Sequence, residues 1–379
     1  MLGRNRRKLI SSILISQRLK IFKFFLQIQK GGNIVFQDIS VDELLDLKDK
    51  KELTVIDVRS PSEYKDATIP GSLNIPFFDD AERAEVGTLY KQVSAQAAKE
   101  RGLEIISVKL PQFIKDFAKI EGKKAVFCWR GGMRSRTTAT VLSLMGIKAL
   151  RLDGGYRNYR NWVVDHLETL DMKPEAYVLN GFTGTGKTTI LHRLREDGYP
   201  ILDFEGMANH RGSVFGQIGL EPNNQKKFDS LLLESVQKVQ QSPFVLIEGE
   251  SKRIGKVIIP DSVLAKKEQG IQVFIDLPIE ERVLHILEDY QPWEHEQECL
   301  EAFLRIKRRI HTPIAAQIEN DLKSGNYSSA VALLLEYYYD PMYQHTADHF
   351  PDDRKITIQA KNVDEAIEII RERLRVKHG

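Results

Sequence analysis

AYVLNGFTGTGKTT, residues 176–189, decides the fold class of the second half of the chain. Residues 176–180 form a short apolar run that predicts a strand, and residues 188–196 have a helical pattern. Between them stands G-x4-G-K-T, in which Gly181, Gly184 and Gly186 let the backbone wrap around an anion. Lys187 supplies a positive charge and Thr188 a hydroxyl suited to Mg²⁺. The sequence therefore predicts a phosphate-binding loop between a strand and a helix.

Strand and helix patterns alternate on either side of this loop. This alternation predicts a parallel sheet covered by helices, a P-loop NTPase-like α/β domain over residues 171–379. A mainly helical block at about 296–340 is interpreted as an insertion. The predicted strands are 201–204, 244–248, 273–276 and 355–359, and predicted helices begin after Pro278 and at Val363.

Polar residues after two predicted strands are candidates for a substrate site, because ligands of α/β sheets bind beyond the strand ends. Glu248 ends a very apolar strand, where a nucleotide-hydrolysing site usually has Asp, so ATP hydrolysis and a need for Mg²⁺ stay open. The other candidates, which follow residues 201–204 or end that run, are Asp203, Glu205, His210 and Arg211.

A second loop, Cys128-Trp129-Arg130-Gly131-Gly132-Met133-Arg134-Ser135, lies between a predicted strand and a predicted helix. Backbone N–H groups, a helix N-terminus and the guanidinium groups of Arg130 and Arg134 all favour the thiolate form of Cys128. We therefore predict that Cys128, Arg130 and Arg134 are catalytic. Cys299, in a helical pattern, is expected to serve packing or to lie on the surface.

The Cys128 loop belongs to a predicted α/β domain with a parallel sheet over residues 35–170. Its strands are predicted at 53–58, 124–127 and 149–152, with a helix at 134–145, and Asp171–Pro174 is a linker. Residues 1–34 form a basic N-terminal extension. We expect this extension to be a leader segment, or the result of a start codon assigned too far upstream, rather than a targeting peptide.

The charge balance excludes nucleic-acid binding by global charge. The chain has 55 basic and 53 acidic side chains, and its first thirty residues contain eight basic residues and no acidic one. Nucleic-acid contact therefore requires a local patch, for which Arg305, Arg308 and Arg309 on one face of a predicted helix are the candidates. The chain has two cysteines, which make no disulfide framework and favour the cytoplasm. No metal site and no membrane span are predicted.

The first domain resembles the rhodanese family of chalcogen transferases. The matching residues are Asp57-Val58-Arg59, Glu63-Tyr64, Ile69-Pro70-Gly71-Ser72, Asn74-Ile75-Pro76, the Cys128 loop and Gly154-Gly155-Tyr156. Five residues separate Cys128 from Arg134, one more than in many rhodaneses, and this C-x5-R spacing also matches cysteine-dependent phosphatases. Loop spacing alone therefore leaves the substrate open.

A rhodanese-like domain followed by a P-loop domain is similar to the family of bacterial tRNA 2-selenouridine synthases. Further matches are Val86–Lys91, Asp203-Phe204-Glu205-Gly206 and Ala208-Asn209-His210-Arg211-Gly212-Ser213. The resemblance implies that sulfur of wobble 2-thiouridine in tRNA is replaced by selenium from selenophosphate, and that a geranyl group is transferred from geranyl diphosphate. It also implies that Cys128 carries the chalcogen and the P-loop grips a diphosphate. No tightly bound cofactor is expected, and the implied partners are the tRNA anticodon arm and a selenophosphate supply enzyme.

Two other functions fit the same motifs. A P-loop kinase or NTPase with an appended sulfurtransferase domain would turn over ATP strongly without RNA. A non-enzymatic thiol or nucleotide sensor would bind its ligand stoichiometrically without turnover.

Overall fold

The computed structural model describes residues 36–343 and 350–378. The chain folds into two compact units. The first contains the described residues up to Ser60 together with Leu73–Gly155, and the second contains Pro61–Ser72 and the described residues from Tyr156 onward. The predicted basic extension, residues 1–34, lies outside the described residues.

The first unit is built on a five-stranded parallel sheet with strand order β1-β5-β4-β2-β3. Its strands are β1 (Asp38–Ile39), β2 (Leu53–Asp57), β3 (Leu73–Asn74), β4 (Lys123–Phe127) and β5 (Ala149–Leu152). The first helices in the chain are α1 (Val41–Asp49), α2 (Pro61–Asp66), α3 (Asp80–Gln92), α4 (Ala95–Ala118) and α5 (Met133–Leu144), of which α2 belongs to the second unit. The expected parallel sheet is confirmed, and the three predicted strands match β2, β4 and β5 to within one residue.

The core of the first unit lies between the sheet and its helices. Val126 on β4 and Ile56 on β2 are fully buried, and they pack with aromatic side chains of α4 such as Phe117. Apolar runs with little exposed surface are typical of strands in parallel sheets, which have helices on both faces. Local caps fix the helix ends: Asp79 and Glu82 form a reciprocal capping box at the start of α3.

The second unit contains another five-stranded parallel sheet, with order β12-β11-β6-β8-β7, and a separate two-stranded hairpin. The strands are β6 (Glu175–Gly181), β7 (Ile201–Leu202), β8 (Phe244–Glu248), β9 (Arg253–Ile254), β10 (Val257–Ile258), β11 (Ile271–Asp276) and β12 (Lys355–Gln359). The helices are α6 (Gly155–Glu168), α7 (Lys187–Glu196), α8 (Phe204–Ala208), α9 (Gln225–Val239), α10 (Asp261–Gln269), α11 (Ile279–Tyr290), α12 (Glu296–Ile306), α13 (Thr312–Ser324), α14 (Tyr327–Leu334), α15 (Asp340–Tyr343) and α16 (Val363–His378).

Sheet register brings the functional strand ends to one edge. Leu179 of β6 pairs with Glu248 of β8, and Gly181 pairs with Ile275 of β11. Because all three strands are parallel, the loop after β6 and the carboxylate that ends β8 leave the sheet on the same side.

One predicted strand is too long at its end. The run 201–204 is a strand only at Ile201–Leu202. Asp203 instead caps α8, because its carboxylate accepts a hydrogen bond from the backbone N–H of Gly206. An Asp after an apolar pair is a preferred N-cap, so its side chain competes with continued strand pairing.

The predicted helical block is confirmed as α12, α13 and α14, followed by a π-helical turn at Leu335–Tyr339. These helices enclose their own apolar cluster with Val283 and partly buried residues of α11. Three consecutive tyrosines lie in this turn. Tyr337 is exposed, whereas Tyr338 and Tyr339 are buried in the cluster.

Candidate active sites

The loop between β6 and α7 forms the predicted phosphate cradle. Gly184 has a φ of +83°, and a Cβ there would lie 2.8 Å from the backbone oxygen of Arg282 and 2.8 Å from a side-chain carbon of Ile286. Only glycine fits this left-handed, crowded position. Gly181 and Gly186 also have positive φ angles. The loop therefore has the backbone conformation that the G-x4-G-K-T pattern predicts.

The side chains of Lys187 and Thr188 face this loop and the acidic end of β8. Lys187 Nζ lies 3.5 Å from the backbone oxygen of Gly181. The hydroxyl of Thr188 lies 2.9 Å from Glu248 Oε1 and 3.1 Å from Glu205 Oε2. The backbone N–H of Glu205 donates to Glu248 Oε2 at 2.8 Å. The structure thus brings four residues that the sequence singled out separately into one cluster.

Burial raises the pKa of both glutamates. The pKa of Glu205 is raised to about 8, first by burial and then by the charge of Glu250, while the positive charge of Lys187 acts in the opposite direction. The pKa of Glu248 is raised well above its ordinary value by burial and by the charge of Glu205. Near neutral pH this cluster therefore carries less negative charge than its carboxyl groups could, which suits an anionic ligand.

The other candidate substrate residues have structural partners. Asp203 accepts hydrogen bonds from His192 at 2.7 Å and Arg195 at 3.1 Å, besides capping α8. His210 is 8% exposed, and its Nδ1 accepts the backbone N–H of Gly212 at 3.1 Å. Burial, assisted by the neighbouring Arg211 charge, lowers the pKa of His210. A direct role for Asp203 or His210 in substrate contact stays a prediction.

Arg211 connects the loop after α8 to α11 by hydrogen bonds and a contact with an aromatic ring. Its guanidinium donates to the backbone oxygens of Ile218 at 2.9 Å and Asp289 at 2.7 Å, and it lies 4.7 Å from the ring centroid of Tyr290. This side chain is therefore committed to several contacts inside the second unit, and its contact with substrate also stays a prediction.

Arg282 is a residue of the phosphate cradle that sequence analysis did not select. It is 4% exposed, its Nε donates to the backbone oxygen of Thr183 at 2.9 Å, and its other nitrogens pair with the carboxylate of Asp340. The guanidinium also lies 5.1 Å from the ring centroid of Phe182. Arg282 thereby fixes the loop backbone. An arginine in the first turn of the helix after Pro278 was its only signal in the sequence.

The thiol of Cys128 is 3% exposed and follows directly after β4. Its Sγ lies 3.2 Å from Oγ of Ser135, a fully buried residue in the first turn of α5. Gly132 precedes α5 without a side-chain cap, so the first N–H groups of the helix are not used by a capping side chain. The sulfur therefore lies beside the first turn of α5, as the sequence predicts. Ser135 is a second site residue that the sequence analysis quoted but did not select.

Tight backbone packing shapes the Cys128 loop. Gly155 has a φ of +61°, and a Cβ there would lie 2.3 Å from the backbone oxygen of Cys128 and 2.4 Å from the nitrogen of Gly131. Arg151 donates to the backbone oxygen of Gly131 at 2.5 Å and pairs with Asp38. Arg151 of β5 therefore fixes the backbone of the Cys128 loop.

The arginines of the Cys128 loop differ in exposure. Arg130 is exposed, whereas Arg134 is half-buried in the first turn of α5. Below the loop, Asp57 and Arg59 form a buried bidentate pair, and Arg59 lies 5.6 Å from the ring centroid of Phe127. This pair explains the Asp-x-Arg motif as a support for the strand ends.

The predicted helical face of Arg305, Arg308 and Arg309 is wrong. The helix α12 ends at Ile306, and residues Lys307–Arg309 form a 3-10 turn. Ile310 leaves this turn in an extended conformation, and its buried side chain joins that of Ile306 in the apolar cluster of the helical block. All three arginines are nevertheless exposed, so they remain candidates for RNA contact.

Cys299 is buried, which agrees with the packing role expected for it. Burial, followed by the charge of Glu298, raises the pKa of its thiol to about 11. This thiol is therefore protonated near neutral pH.

The described residues contain neither a metal-binding cluster nor a membrane-spanning helix. No group of three or more His, Cys, Asp or Glu side chains in residues 36–343 and 350–378 is arranged to hold a metal ion. In the same ranges, every helix is too short or too polar to cross a bilayer.

Comparison with known proteins places both loops in one family. Residues 40–161 match the rhodanese-like domain, and residues 174–376 match the tRNA 2-selenouridine synthase AAA domain. The chain belongs to the tRNA 2-selenouridine synthase family. The tRNA 2-selenouridine synthase of Nitrosomonas europaea is 34% identical over 261 residues, which cover 67% of this chain and 67% of that protein. The tRNA 2-selenouridine synthase of Bdellovibrio bacteriovorus is 30% identical over 354 residues, covering 81% of this chain and 92% of that protein.

Among solved structures, a rhodanese-related protein from Thermoplasma volcanium is 22% identical, with a TM-score of 0.21. The match covers 34% of this chain and 93% of that chain. The family assignment confirms the resemblance predicted from the motifs and identifies the chain as an enzyme.

Proposed function

We propose that this chain is a tRNA-modifying transferase that replaces the sulfur of wobble 2-thiouridine by selenium. Its relatives are named tRNA 2-selenouridine synthase, and the similarity extends over both loops. The observation that carries the proposal is the presence, on one chain, of a buried thiol at a helix N-terminus and a complete diphosphate cradle.

The diphosphate cradle suits a prenyl transfer from geranyl diphosphate. In this step the sulfur of 2-thiouridine attacks the first carbon of the geranyl chain, the carbon–oxygen bond breaks, and diphosphate leaves. Lys187 and the loop N–H groups neutralise the charge that develops on the leaving group. S-Geranylation converts the thiocarbonyl into a better leaving group.

Selenium from selenophosphate then replaces the geranylated sulfur. Nucleophilic selenium attacks C2 of the base, the carbon–sulfur bond breaks, and geranyl thiol leaves. The family resemblance assigns the chalcogen to Cys128. Selenium in selenophosphate is already fully reduced, so attachment to the Cys128 sulfur as a selenosulfide would need an oxidant.

The C-x5-R-S sequence around Cys128 suggests a role for this residue that needs no oxidant. The thiolate attacks phosphorus of selenophosphate, a sulfur–phosphorus bond forms, the phosphorus–selenium bond breaks, and selenide leaves as the nucleophile for C2. Water then hydrolyses the phosphocysteine. Ser135, 3.2 Å from the sulfur, is placed to orient it. Intact mass and the selenium isotope pattern after exposure to selenophosphate distinguish a phosphoryl adduct from a selenium adduct.

We also propose that Mg²⁺ binds together with the diphosphate. The hydroxyl of Thr188 and, in their ionised form, the nearby carboxyl groups of Glu205 and Glu248 are hard oxygen donors of the type that Mg²⁺ prefers. These residues would hold the ion, which would supply further neutralisation of the leaving diphosphate.

The proposed partners follow from this chemistry. The macromolecular substrate is the anticodon arm of tRNA, and an enzyme that forms selenophosphate must supply the selenium donor. A cytoplasmic site of action fits both.

Nucleoside mass spectrometry tests the proposal. The purified chain is incubated with a 2-thiouridine anticodon stem-loop, first with geranyl diphosphate and then with selenophosphate. We expect S-geranyl-2-thiouridine after the first addition and 2-selenouridine after the second. Rapid ATP turnover without RNA, and no modified nucleoside, would support the kinase alternative; stoichiometric binding without any turnover would support the sensor.

A further inference from the structure

The second unit contains an almost entirely apolar cavity that the proposed reaction has not yet used. Its volume is about 570 Å³, including the open mouth. Side chains of the helical block form most of its wall, among them Val331, Leu334 and Leu335.

Most of the lining side chains are apolar, and the hydroxyl groups of two lining tyrosines have hydrogen-bond partners, so the cavity presents mainly rings and methyl groups. The hydroxyl of Tyr290 lies 3.2 Å from Ser213 Oγ, and the hydroxyl of Tyr327 donates to Glu296 at 2.9 Å. Burial raises the pKa of Tyr290, so its phenol stays neutral. A charged or strongly hydrated ligand would find no compensation in such a wall.

The cavity begins at the phosphate loop. Thr183, a loop residue, is part of its lining, and so is Ile286 of α11. A Cβ on Gly184 would lie 2.8 Å from Cδ1 of Ile286, so α11 packs directly against the loop. The same residue, Ile286, therefore contacts the cradle on one side and lines the cavity on the other.

We infer that this cavity, the isoprenoid pocket, binds the hydrocarbon chain of a prenyl diphosphate whose diphosphate group occupies the P-loop. The inference rests on the proposed function, because it assigns a place to the chain of the proposed geranyl donor. An apolar wall that starts at a diphosphate cradle fits a molecule with an anionic head and an apolar tail. In this arrangement the helical block determines which hydrocarbon chain binds.

Val331 is the position at which to change the size of the isoprenoid pocket. It lines the cavity and is only partly buried, so both a larger and a smaller side chain are tolerated better there than at fully buried Leu335. Val331→Phe reduces the available volume and Val331→Ala increases it. The matched control is Val376→Phe on α16, where the valine is 84% exposed.

Isothermal titration calorimetry of the full chain compares inorganic diphosphate with dimethylallyl, geranyl and farnesyl diphosphates. Each fully buried methylene group contributes about four-fold in affinity, so complete burial of about three or four carbon groups of the chain would make the unmodified chain bind geranyl diphosphate on the order of 10²-fold more tightly than inorganic diphosphate. Val331→Phe should lose most of this gain for geranyl and keep the affinity for inorganic diphosphate. Val331→Ala should improve farnesyl diphosphate relative to geranyl diphosphate, and Val376→Phe should match the unmodified chain.

The outcomes separate this inference from the proposed function. If the unmodified chain binds geranyl diphosphate no better than inorganic diphosphate, the proposed prenyl transfer fails. If the gain exists but neither Val331 variant changes it, the chain binds elsewhere and the isoprenoid pocket is overturned. Retained binding of inorganic diphosphate shows that a variant is folded; should Val331→Phe lose it, Val331→Ala decides between the outcomes.

Discussion

The proposed role of Cys128 requires a sulfur nucleophile, which a hydroxyl cannot replace. Cys128→Ser keeps a small polar side chain within reach of Ser135, so the fold of the first unit should persist. A serine hydroxyl is hardly ionised at neutral pH and is a poor nucleophile toward phosphorus or selenium. We expect formation of 2-selenouridine to disappear while geranylation, which uses the P-loop, continues. Nucleoside mass spectrometry after each addition measures both steps, and full selenation by Cys128→Ser would disprove the proposed role.

In the proposed reaction, Lys187 assists the other step, the transfer of the geranyl group. Its ammonium group lies over the loop, 3.5 Å from the oxygen of Gly181, where it can neutralise a bound diphosphate. Removing the charge in Lys187→Ala should lower the rate of geranyl transfer on the order of 10²-fold, as expected for a lost electrostatic stabiliser. Initial rates at limiting geranyl diphosphate provide the measurement. Wild-type rates in this variant would show that the loop has only a structural role.

At the scale of secondary-structure elements, α7, α8 and β8 together form the cluster of Thr188, Glu205 and Glu248. Because the pKa of Glu205 is raised to about 8, its carboxyl is neutral below that pH and becomes charged above it. Diphosphate binding should therefore weaken about ten-fold more above pH 8 in the unmodified chain than in Glu205→Gln, which stays neutral. Titrations with inorganic diphosphate from pH 6.5 to about 9 test this, since protonation of the ligand affects both proteins equally.

The raised pKa of Glu205 also predicts a trend in stability. The folded state retains a proton that the unfolded state releases near the ordinary pKa of glutamate. The free energy of unfolding should consequently fall as the pH rises toward about 8, and Glu205→Gln should flatten this fall. Denaturant unfolding at several pH values measures the trend. Equal slopes in both proteins would show that Glu205 titrates normally.

Elements with strong local signals were predictable from the sequence, whereas long-range partners were not. The strand, glycine loop and helix from β6 to α7 follow from apolar spacing and a motif whose residues are adjacent in the chain. Arg282 reaches Thr183 from a distant helix, and no local pattern indicates that contact. The helix through Arg309 was mispredicted because α-helical geometry ends after Ile306, although residues 296–310 contain no Pro or Gly that would indicate a helix end there.

At the scale of the whole molecule, the proposed function requires that one sulfur atom of a large RNA undergo both reactions. The chain has 55 basic and 53 acidic side chains, so RNA affinity has to come from local basic surface. Many exposed basic residues are already paired, as Lys307 is with Glu319 at 2.5 Å. Exposed Arg305 and Arg308 beside this pair are therefore better candidates for phosphate contact than Lys307.

Phosphate contacts at the end of α12 would be visible in the salt dependence of tRNA binding. Each contact releases condensed counterions and contributes about 0.7 to 0.9 to the slope of log affinity against log salt. Replacing Arg305, Arg308 and Arg309 together by Ala should lower this slope by about two to three units and leave binding of inorganic diphosphate unchanged. A double Ala variant of Arg373 and Arg375, exposed on α16, is the matched control and should keep the slope. The three arginines are exposed even though they do not share the predicted α-helix, so the experiment tests them directly. An unchanged slope in the triple variant would place the RNA surface elsewhere on the chain.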